Sequence, residues 1–335
     1  MKNNISGIHH ITAIAGNAQR NYDFYTRTMG LRMVKRTVNF DDPGTYHFYY
    51  GNETGTPGTI LTFFPWEGIA QGRTGTGLAT EIGYSVPAGS LEFWAQRFRE
   101  HKIKSGEVAE RMGETYLPFA DPDGLNFSLI VPGTPDSRTA WKTPEIGDAV
   151  ATKGFHSVTL TLKNIAPTVE VLTDIFGYTL QRREGNRYRF VAAASAASAS
   201  PAAGNAAAGN ASTAASLAPT ASIVDIIEAP REIRGLNGSG TNHHVAFRVA
   251  DEATQAEFRE KILLKGLHIT PKINRDYFYS VYFREPGGVL FELATDDPGF
   301  TVDEPKAELG SHLKLPVQYE SMRDSIEKGL PALHL

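Results

Sequence analysis

Two histidine doublets and one isolated glutamate are the residues of this chain best suited to bind a metal ion. His9 and His10 lie in "GIHHITAI", and His243 and His244 lie in "TNHHVAFRV"; both runs have the apolar, β-branched character of strands. Glu292 stands alone among apolar residues in "VLFEL". Two neutral imidazoles and one carboxylate form the facial triad of non-haem Fe(II) oxygenases, which leaves coordination positions open. The residue types therefore indicate metal-assisted chemistry at a site assembled from distant parts of the chain.

The same succession of segments occurs four times along the chain. Each copy reads as a strand, a short polar turn, a helix that ends near a glycine, and then strands rich in aromatic and β-branched residues. The four βαβββ modules span residues 7–66, 79–132, 153–230 and 241–296. Because each module leaves one sheet face to be covered, we predict an α+β fold with two domains of curved, cupped mixed β-sheets and flanking helices.

The modules suggest a division of the chain into two domains and a tail. We expect the first two modules to form a domain over 1–150 and the last two to form a domain over 151–300. The segment 192–222 is mostly Ala, Ser, Gly and Thr, so it is predicted to be a flexible surface insertion without function. The tail, 301–335, contains a predicted helix near Gln318–Lys328 and could cover a cup or a subunit contact.

The repeat register selects one histidine of each doublet. Successive side chains of a strand point to opposite faces, so only one of two adjacent histidines can face the cup. His10 matches His244, whereas Ser157 takes this place in the third module. In the last strands, Glu292 is matched by Thr62, Ser128 and Asp225. We therefore predict that His10, His244 and Glu292 bind the metal and that the first and fourth modules meet around it. Asp225 has no histidine partner in its module, so no second metal site is expected there.

Five further residues are candidates for supporting roles near this site. His9 and His243 would face away from the cup or lie at its rim, where they could orient the metal-bound histidines or be structural. Thr12 follows His10 by two residues on the same strand face and could hydrogen-bond to a ligand or to water. Arg275 could hold a substrate anion or be an exposed surface arginine.

The fifth candidate, Tyr282, depends on the register of a hairpin. If the loop is residues 286–288, Tyr282 stands opposite Glu292, where a phenol could hydrogen-bond to a bound oxygen or move a proton. The alternative register places Val281 there and leaves Tyr282 as a core aromatic residue.

Composition limits the classes of partner. The chain has 335 residues, with 33 Lys and Arg against 37 Asp and Glu, so no basic excess predicts binding to nucleic acid or to an anionic membrane. There is no cysteine, which excludes disulfides and thiolate metal sites and suits an intracellular protein. Since no apolar run approaches the length of a membrane span, we expect a cytoplasmic protein. The sequence leaves a homo-oligomer open.

The four modules, with histidines in first strands and a glutamate in a last strand, resemble the vicinal oxygen chelate superfamily. Within it, the chain looks like the hydroquinone-type ring-cleaving dioxygenases, over nearly its whole length. The resemblance rests on "GIHHIT", "MGLRMVKRTVNFDDPGTYHFYYG", "GFHSVTL", "NHHVAF" and "NRDYFYSVYFREPGGVLFELATDDPGF". The Ala/Ser-rich insertion is the main departure from the family, and it lies in a module that supplies no predicted ligand.

The resemblance implies a specific reaction and a set of residues. It implies Fe(II), with Mn(II) as the alternative metal, and molecular oxygen. The implied reaction is cleavage of a small aromatic substrate, a 1,4-hydroquinone or a catechol-like compound, between a hydroxylated carbon and the adjacent one. The family's metal ligands match His10, His244 and Glu292. Its supporting and proton-handling positions match His9, Thr12, His243, Arg275 and Tyr282.

Two other functions compete with the dioxygenase. A glyoxalase-like isomerase or metal-dependent hydrolase could use the same cup with Zn²⁺ or Ni²⁺, but such sites usually have a second carboxylate, and the first module offers only Thr62 there. A non-catalytic protein that binds aromatic compounds would generally lack the complete triad.

Overall fold

The strands of this protein are arranged in two mixed β-sheets. The structure is a computed structural model that describes residues 5–192 and 221–335. In chain order the strands are β1 (Ile8–Ala15), β2 (Arg32–Asn39), β3 (Asp42–Gly51), β4 (Ile60–Pro65), β5 (Leu78–Ser85), β6 (Ala109–Arg111), β7 (Glu114–Ala120), β8 (Asn126–Val131), β9 (Gly154–Leu162), β10 (Thr179–Glu184), β11 (Arg187–Val191), β12 (Ile223–Glu228), β13 (Thr241–Val249), β14 (Ile273–Asn274), β15 (Phe278–Arg284) and β16 (Leu290–Pro298).

Each sheet contains eight strands and combines two modules. The first sheet has the order β14-β15-β16-β13-β1-β4-β3-β2, so it joins the first and fourth modules. The second sheet has the order β10-β11-β12-β9-β5-β8-β7-β6, so it joins the second and third modules. The expected fold class is confirmed, and β1 pairs with β13, as expected if the outer modules meet. Each sheet contains strands from both sides of residue 150, so the sheets do not follow the proposed domains 1–150 and 151–300; that division stays a prediction.

Helices cover the outer faces of the sheets. The α-helices are α1 (Ala18–Asp23), α2 (Leu91–Glu100), α3 (Ala166–Glu170), α4 (Glu252–Leu264) and α5 (Arg323–Gly329). One turn of π-helix extends α1 over Phe24–Thr28, and another extends α3 over Val171–Ile175. The side chains of Asn17 and Asp251 cap α1 and α4 as N-cap residues, which these residue types favour. Ser90 precedes α2 without a side-chain cap, because its hydroxyl donates to the carbonyl of Pro87.

The central strands are covered on both faces, which explains their composition. All residues of β1 and β9 are buried. Their outer faces join a core with apolar side chains from the helices, such as Trp94 of α2 and Phe258 of α4. The two sheets are linked where β13 approaches β5, since the side-chain amide of Asn242 donates to the carbonyl of Ala79 at 2.9 Å.

A β-bulge interrupts each of the four first strands at equivalent places. The register between β1 and β13 shifts by one residue at His9 and again at His243. The register between β5 and β9 shifts in the same way at Thr80 and at His156. A bulge leaves one residue unpaired and re-aims its side chain, so strict alternation does not describe the histidine doublets.

The tail packs on β2 and β3, the strands at one edge of the first sheet. Buried Lys35 on β2 donates to Asp303 and Glu304, each at 2.5 Å. The predicted tail helix is present as a 3₁₀ segment, Val317–Met322, followed by α5. Of the predicted insertion, 192–222, residues 193–220 lie outside the described residues. No helix in the described part of the chain is both long and apolar enough to span a membrane.

Candidate metal centre

His10, His244 and Glu292 converge at the centre of the first sheet. They lie on the neighbouring strands β1, β13 and β16. Glu292 Oε2 is 3.2 Å from His10 Nε2 and 2.9 Å from His244 Nε2, and one possible ligand atom from each residue lies within 4.8 Å of the others. All three side chains are buried. Among residues 5–192 and 221–335, they form the single group of three or more such side chains close enough to share a metal ion.

The two oxygens of Glu292 have different surroundings. Oε1 accepts a hydrogen bond from the Ser280 hydroxyl at 2.5 Å. Oε2 is buried and accepts no well-formed hydrogen bond from the described residues, although both imidazole Nε2 atoms are near. A buried carboxylate oxygen without a partner is costly unless something else satisfies it. Its place beside two Nε2 atoms fits a divalent cation shared by all three residues.

The protonation states suit a metal. Burial tends to raise the pKa of Glu292, but His10 and His244 together lower it by more than burial raises it. The pKa of Glu292 therefore lies well below its ordinary value. Burial lowers the pKa of His244 despite the opposing effect of Glu292. At neutral pH the carboxylate is therefore ionised and His244 is neutral, as metal ligation requires.

His9 and His243 each contact the converging histidine of the same doublet. His9 Nδ1 lies 2.9 Å from His10 Nδ1, and His243 Nδ1 lies 2.8 Å from His244 Nδ1. A neutral imidazole carries one proton, so a ring whose Nε2 is free for a metal donates from Nδ1 to the neighbouring histidine. Burial lowers the pKa of His9 well below its ordinary value and that of His243 to about 3, so both rings are neutral acceptors. The bulges at His9 and His243 allow these contacts within each doublet.

A cavity of about 240 Å³ opens on this centre and is lined largely by aromatic and histidine side chains. The predicted residues that line it are His10, Thr12, His243, His244, Arg275 and Tyr282, whereas His9 and Glu292 lie behind the wall. The aromatic residues that line it are Phe40, Tyr49, Phe64, Trp66, Phe278 and Tyr282. Apolar walls around a few polar groups are typical of small-molecule sites.

Tyr282 and Arg275 form a polar pair at the edge of the cavity. Glu285 pairs with Val289 and Tyr282 stands opposite Glu292, so the first of the two predicted hairpin registers is confirmed. Arg275 Nε donates to the Tyr282 hydroxyl at 3.3 Å. Burial raises the pKa of Tyr282, with a further contribution from Glu292, so the phenol is protonated at neutral pH.

The Arg275 guanidinium also lies near Asp41, at 3.4 Å. Burial alone would lower the pKa of Arg275, but Tyr282, Asp41 and Glu292 raise it above its ordinary value. Arg275 is therefore a permanent cation that lines the cavity, not an isolated surface arginine.

Ser280 and His47 are among the polar residues of this region that were not anticipated from the sequence. Ser280 binds the Glu292 carboxylate. His47 on β3 lines the cavity and lies 2.9 Å from both the Thr62 and the Tyr49 hydroxyls. The repeat offered a signal for both, because Ser280 precedes Tyr282 by two residues and His47 precedes Tyr49 by two. Tyr282 and Tyr49 stand opposite Glu292 and Thr62, which are equivalent in the repeat.

The equivalent place in the second sheet holds ion pairs. Asp225, fully buried, accepts hydrogen bonds from Arg189 at 2.8 and 3.0 Å and from Arg187 at 3.1 Å. Glu81, which sequence comparison did not single out, takes the place of His10 and pairs with Arg111. Arginine side chains therefore pair with both carboxylates in the described part of the second sheet.

A family model provides the broadest comparison. The model named "Glyoxalase/Bleomycin resistance protein/Dioxygenase superfamily" matches residues 7–129 and 154–293. These ranges cover the four modules described above.

Individual proteins are similar over nearly the full length. "Putative ring-cleaving dioxygenase MhqO" of Bacillus subtilis (strain 168) is 41% identical over 324 residues, which cover 97% of this chain and 95% of that protein. "Chlorohydroquinone/hydroquinone 1,2-dioxygenase" of Sphingobium indicum is 35% identical over 330 residues, which cover 96% and 95%.

Solved structures share the fold. A crystal structure of a "putative dioxygenase" from Bacillus subtilis subsp. subtilis str. 168 superposes with a TM-score of 0.88 at 39% identity, covering 99% of each chain. Glyoxalase I from Zea mays, at 15% identity and a TM-score of 0.59, covers 87% of this chain and 92% of that one, and shows the fold alone. The family model and the full-length relatives together show that this chain belongs to the glyoxalase/bleomycin resistance protein/dioxygenase superfamily.

Proposed function

We propose that the protein is an Fe(II)-dependent ring-cleaving dioxygenase that inserts both atoms of O₂ into a hydroquinone-type substrate. The observation that carries the proposal is the unsatisfied Glu292 oxygen beside the Nε2 atoms of His10 and His244, at an aromatic cavity. Two neutral imidazoles and one carboxylate form the donor set of non-haem iron oxygenases. The name of the Sphingobium indicum relative supports a hydroquinone as substrate class.

His10, His244 and Glu292 would hold the metal, and three protein ligands leave positions for exogenous ligands. Fe(II) bound there would supply a Lewis-acid site for a phenolate and the one-electron redox chemistry that O₂ requires. Mn(II) is accommodated by the same donor types and is the alternative. His9 and His243 fix the rings and tautomers of the two imidazole ligands through their Nδ1 atoms.

The cavity walls bind the substrate and keep water out. Arg275 is a permanent cation that would offset the negative charge of a deprotonated hydroquinone. The Tyr282 hydroxyl, held by Arg275 and protonated at neutral pH, would donate a hydrogen bond or a proton to an oxygen in the cavity. Phe64, Trp66 and Phe278 would pack against the ring of an aromatic substrate.

The side chain at Thr62 argues against the glyoxalase-like alternative. A glyoxalase-like site would be expected to have a second carboxylate at this position. Thr62 instead carries a hydroxyl group, whose oxygen lies 2.8 Å from Thr12 Oγ1 and 2.9 Å from His47 Nε2. The complete donor set argues against a protein that only binds aromatic compounds.

Oxygen uptake tests the proposal. The metal-free protein is loaded anaerobically with Fe(II), and in parallel with Mn(II), and then mixed with O₂ and hydroquinone, methylhydroquinone or catechol separately. We expect one O₂ consumed per hydroquinone with loss of the aromatic absorbance. Absence of oxygen consumption with every phenol, together with tight retention of Zn²⁺, would refute the dioxygenase assignment.

A further inference from the structure

A chain of hydrogen-bonded side chains runs along the cavity wall on the side of the first module. Thr12 Oγ1 lies 2.8 Å from Thr62 Oγ1, which lies 2.9 Å from His47 Nε2. On the other side of the ring, His47 Nδ1 lies 2.9 Å from the Tyr49 hydroxyl. All four side chains are buried, and Thr12, His47 and Tyr49 line the cavity. The functions assigned above do not use His47, Thr62 or Tyr49.

The chain lies opposite the carboxylate of the metal centre. Thr62 on β4 pairs with Thr12, and Glu292 on β16 pairs with Ala246. Thr12 and Ala246 each follow a metal-binding histidine of the proposed centre by two residues, so Thr62 and Glu292 occupy equivalent positions on either side of the two histidine strands. The centre therefore has a protein carboxylate on the β16 side and hydroxyl groups on the β4 side.

His47 determines how these hydroxyls are oriented. Its ring is packed between Tyr49 and Phe64, with ring centroids 4.1 and 4.3 Å away, so its plane is fixed. Burial lowers the pKa of His47 well below its ordinary value, with further contributions from His10 and His244. A neutral imidazole has one donor and one acceptor nitrogen, so one neighbouring hydroxyl must accept from the ring and the other must donate to it. The ring therefore fixes the proton of the hydroxyl that donates to it, and it leaves the proton of the other hydroxyl directed to a further partner.

We propose that His47 is a positioning residue that, through Thr62 and Tyr49, orients the hydroxyls of the cavity wall that receive a hydroxyl group of the phenolic substrate. This inference rests on the proposed dioxygenase function for the identity of the substrate. The hydrogen-bonded side chains of Thr12, Thr62, His47 and Tyr49 carry no formal charge. They therefore select and orient a substrate oxygen through hydrogen bonds, whereas Arg275 acts on the substrate through its charge. Threonine at position 62 thus serves substrate binding where a carboxylate would serve metal binding.

Substitutions at position 62 separate hydrogen bonding from shape. Thr62→Val keeps the branched side chain but removes the hydroxyl that links Thr12 to His47, whereas Thr62→Ser restores a hydroxyl. The matched control is Ser128→Ala, which removes the hydroxyl at the equivalent position of the second sheet, where it donates to Glu81. For each holoenzyme, metal content, anaerobic binding of hydroquinone by titration calorimetry, and KM and kcat for hydroquinone are measured.

We expect Thr62→Val to keep one metal ion per chain and to weaken hydroquinone binding and raise KM by about 3- to 10-fold, the effect of a lost neutral hydrogen bond. His47→Phe is expected to produce the same pattern, and Thr62→Ser and Ser128→Ala are expected to stay within about 2-fold of the wild type. Unchanged hydroquinone binding and KM in Thr62→Val would overturn the inference. Loss of the metal would overturn it too, since Thr62 would then act on the ligands.

A milder variant and the wild-type protein complete the test. If Thr62→Val or His47→Phe fails to fold, Tyr49→Phe removes only the last hydroxyl of the chain, and unchanged hydroquinone binding by this variant would also overturn the inference. Wild-type holoenzyme that consumes no O₂ with any phenol refutes the proposed function. Wild-type turnover with unaltered binding in the variants refutes only the role of His47, so the two failures are distinguishable.

Discussion

The centres of the two sheets are built from equivalent strand positions, but one centre carries possible metal ligands and the other carries ion pairs. In the first sheet these positions carry His10, His244, Glu292 and Thr62. In the second sheet the register places Glu81, Ser157, Asp225 and Ser128 there. Both sets are buried except for partly exposed Glu81. One backbone arrangement therefore accommodates either a metal donor set or a cluster of ion pairs.

The strands that flank each centre complete the difference. Opposite Glu292 stands Tyr282, and opposite Asp225 stands Arg189. Two residues earlier, Ser280 donates to Glu292 and Arg187 donates to Asp225. In the second sheet the buried carboxylates are thus satisfied by protein cations, whereas the first sheet leaves one carboxylate oxygen for a ligand from outside.

Charge balance explains why the second centre is closed. The carboxylates Glu81, Glu114 and Asp225 face the guanidinium groups of Arg111, Arg187 and Arg189 at 2.5 to 3.1 Å. Buried charges persist only when they are paired and hydrogen-bonded. Within residues 5–192 and 221–335, no Lys or Arg side chain forms an ion pair with Glu292, and two histidines lie beside it instead, which distinguishes the first centre from the second.

Removal of a proposed ligand should produce the largest effect and separate the two centres. We expect His10→Ala, His244→Ala or Glu292→Ala to abolish stoichiometric metal binding and to lower oxygen uptake by about 1,000-fold or more, because the metal supplies the redox chemistry. Ser157→Ala, at the position of the second sheet equivalent to His244, is the matched control and should retain the metal. Metal content is measured by elemental analysis after gel filtration. Full metal occupancy in His10→Ala would show that the strand register of the ligands is misassigned.

Removal of a carboxylate should affect the stability of the metal-free protein to different extents at the two centres. Asp225→Ala leaves Arg187 and Arg189 without their shared partner, so the free energy of unfolding should fall by about 3 to 5 kcal/mol. Glu292→Gln should change it by only about 1 kcal/mol in either direction, since the amide can donate to the neutral histidines. Urea unfolding of both variants measures the difference. Equal losses at the two positions would contradict the contrast between a closed and an open centre.

The supporting histidines should have an intermediate effect. We expect His9→Ala and His243→Ala to keep the metal but to weaken its affinity or lower turnover by about 10- to 100-fold, because each ligand loses the partner of its Nδ1 atom. Competition with a chelator measures the affinity. His156→Ala, which removes the histidine at the corresponding bulge of the second sheet, should leave the metal affinity unchanged. Complete metal loss in His9→Ala with retention in His10→Ala would reverse their roles.

The smallest of the expected effects is a difference between the two centres in how the free energy of unfolding depends on pH. Burial lowers the pKa of His47 below its value of 6.5 in an unfolded chain, so the unfolded chain takes up a proton at a higher pH than the folded one. The contribution of neutral His47 to the free energy of unfolding is therefore lost as pH falls below about 6.5, at about 1.4 kcal/mol per pH unit. Despite burial, His156 and Arg189 lower the pKa of Glu114 from 4.5 to about 2, so its contribution is lost only as pH falls from about 4.5 toward 2.

Substitutions separate the two pH windows. In the metal-free protein, His47→Phe should reduce the slope of unfolding free energy against pH between 6.5 and 5, whereas Glu114→Gln should leave that slope unchanged and reduce it below 4.5. Denaturant unfolding at a series of pH values measures both slopes. A reduced slope above pH 5 in Glu114→Gln would contradict the assignment.

Much of the fold could be predicted because its signals are local and repeated. Alternating apolar residues, helix caps and turn glycines occur in each module, and comparison of the copies aligned His10 with His244 and isolated Glu292. The same comparison could have aligned Glu81 with His10 as equivalent positions of the repeat, but "ATEIGYSV" matches the other copies weakly. The comparison predicted that the first and fourth modules meet around a metal, but not that their strands form one sheet. The division at residue 150 follows sequence order, whereas the sheets do not.

The sequence by itself determined the four modules, the strand positions of the histidines and Glu292, and the absence of thiolate chemistry. Tertiary structure decided that the outermost modules share a sheet, that bulges bring His9 and His243 to the Nδ1 atoms of their neighbours, and that His47 links two hydroxyls of the cavity wall. The physical reason is that side-chain alternation and capping are encoded within a few residues. Strand pairing across more than 200 residues, the extra residue of a bulge and the neutralisation of buried charge depend on partners that meet only in the folded chain.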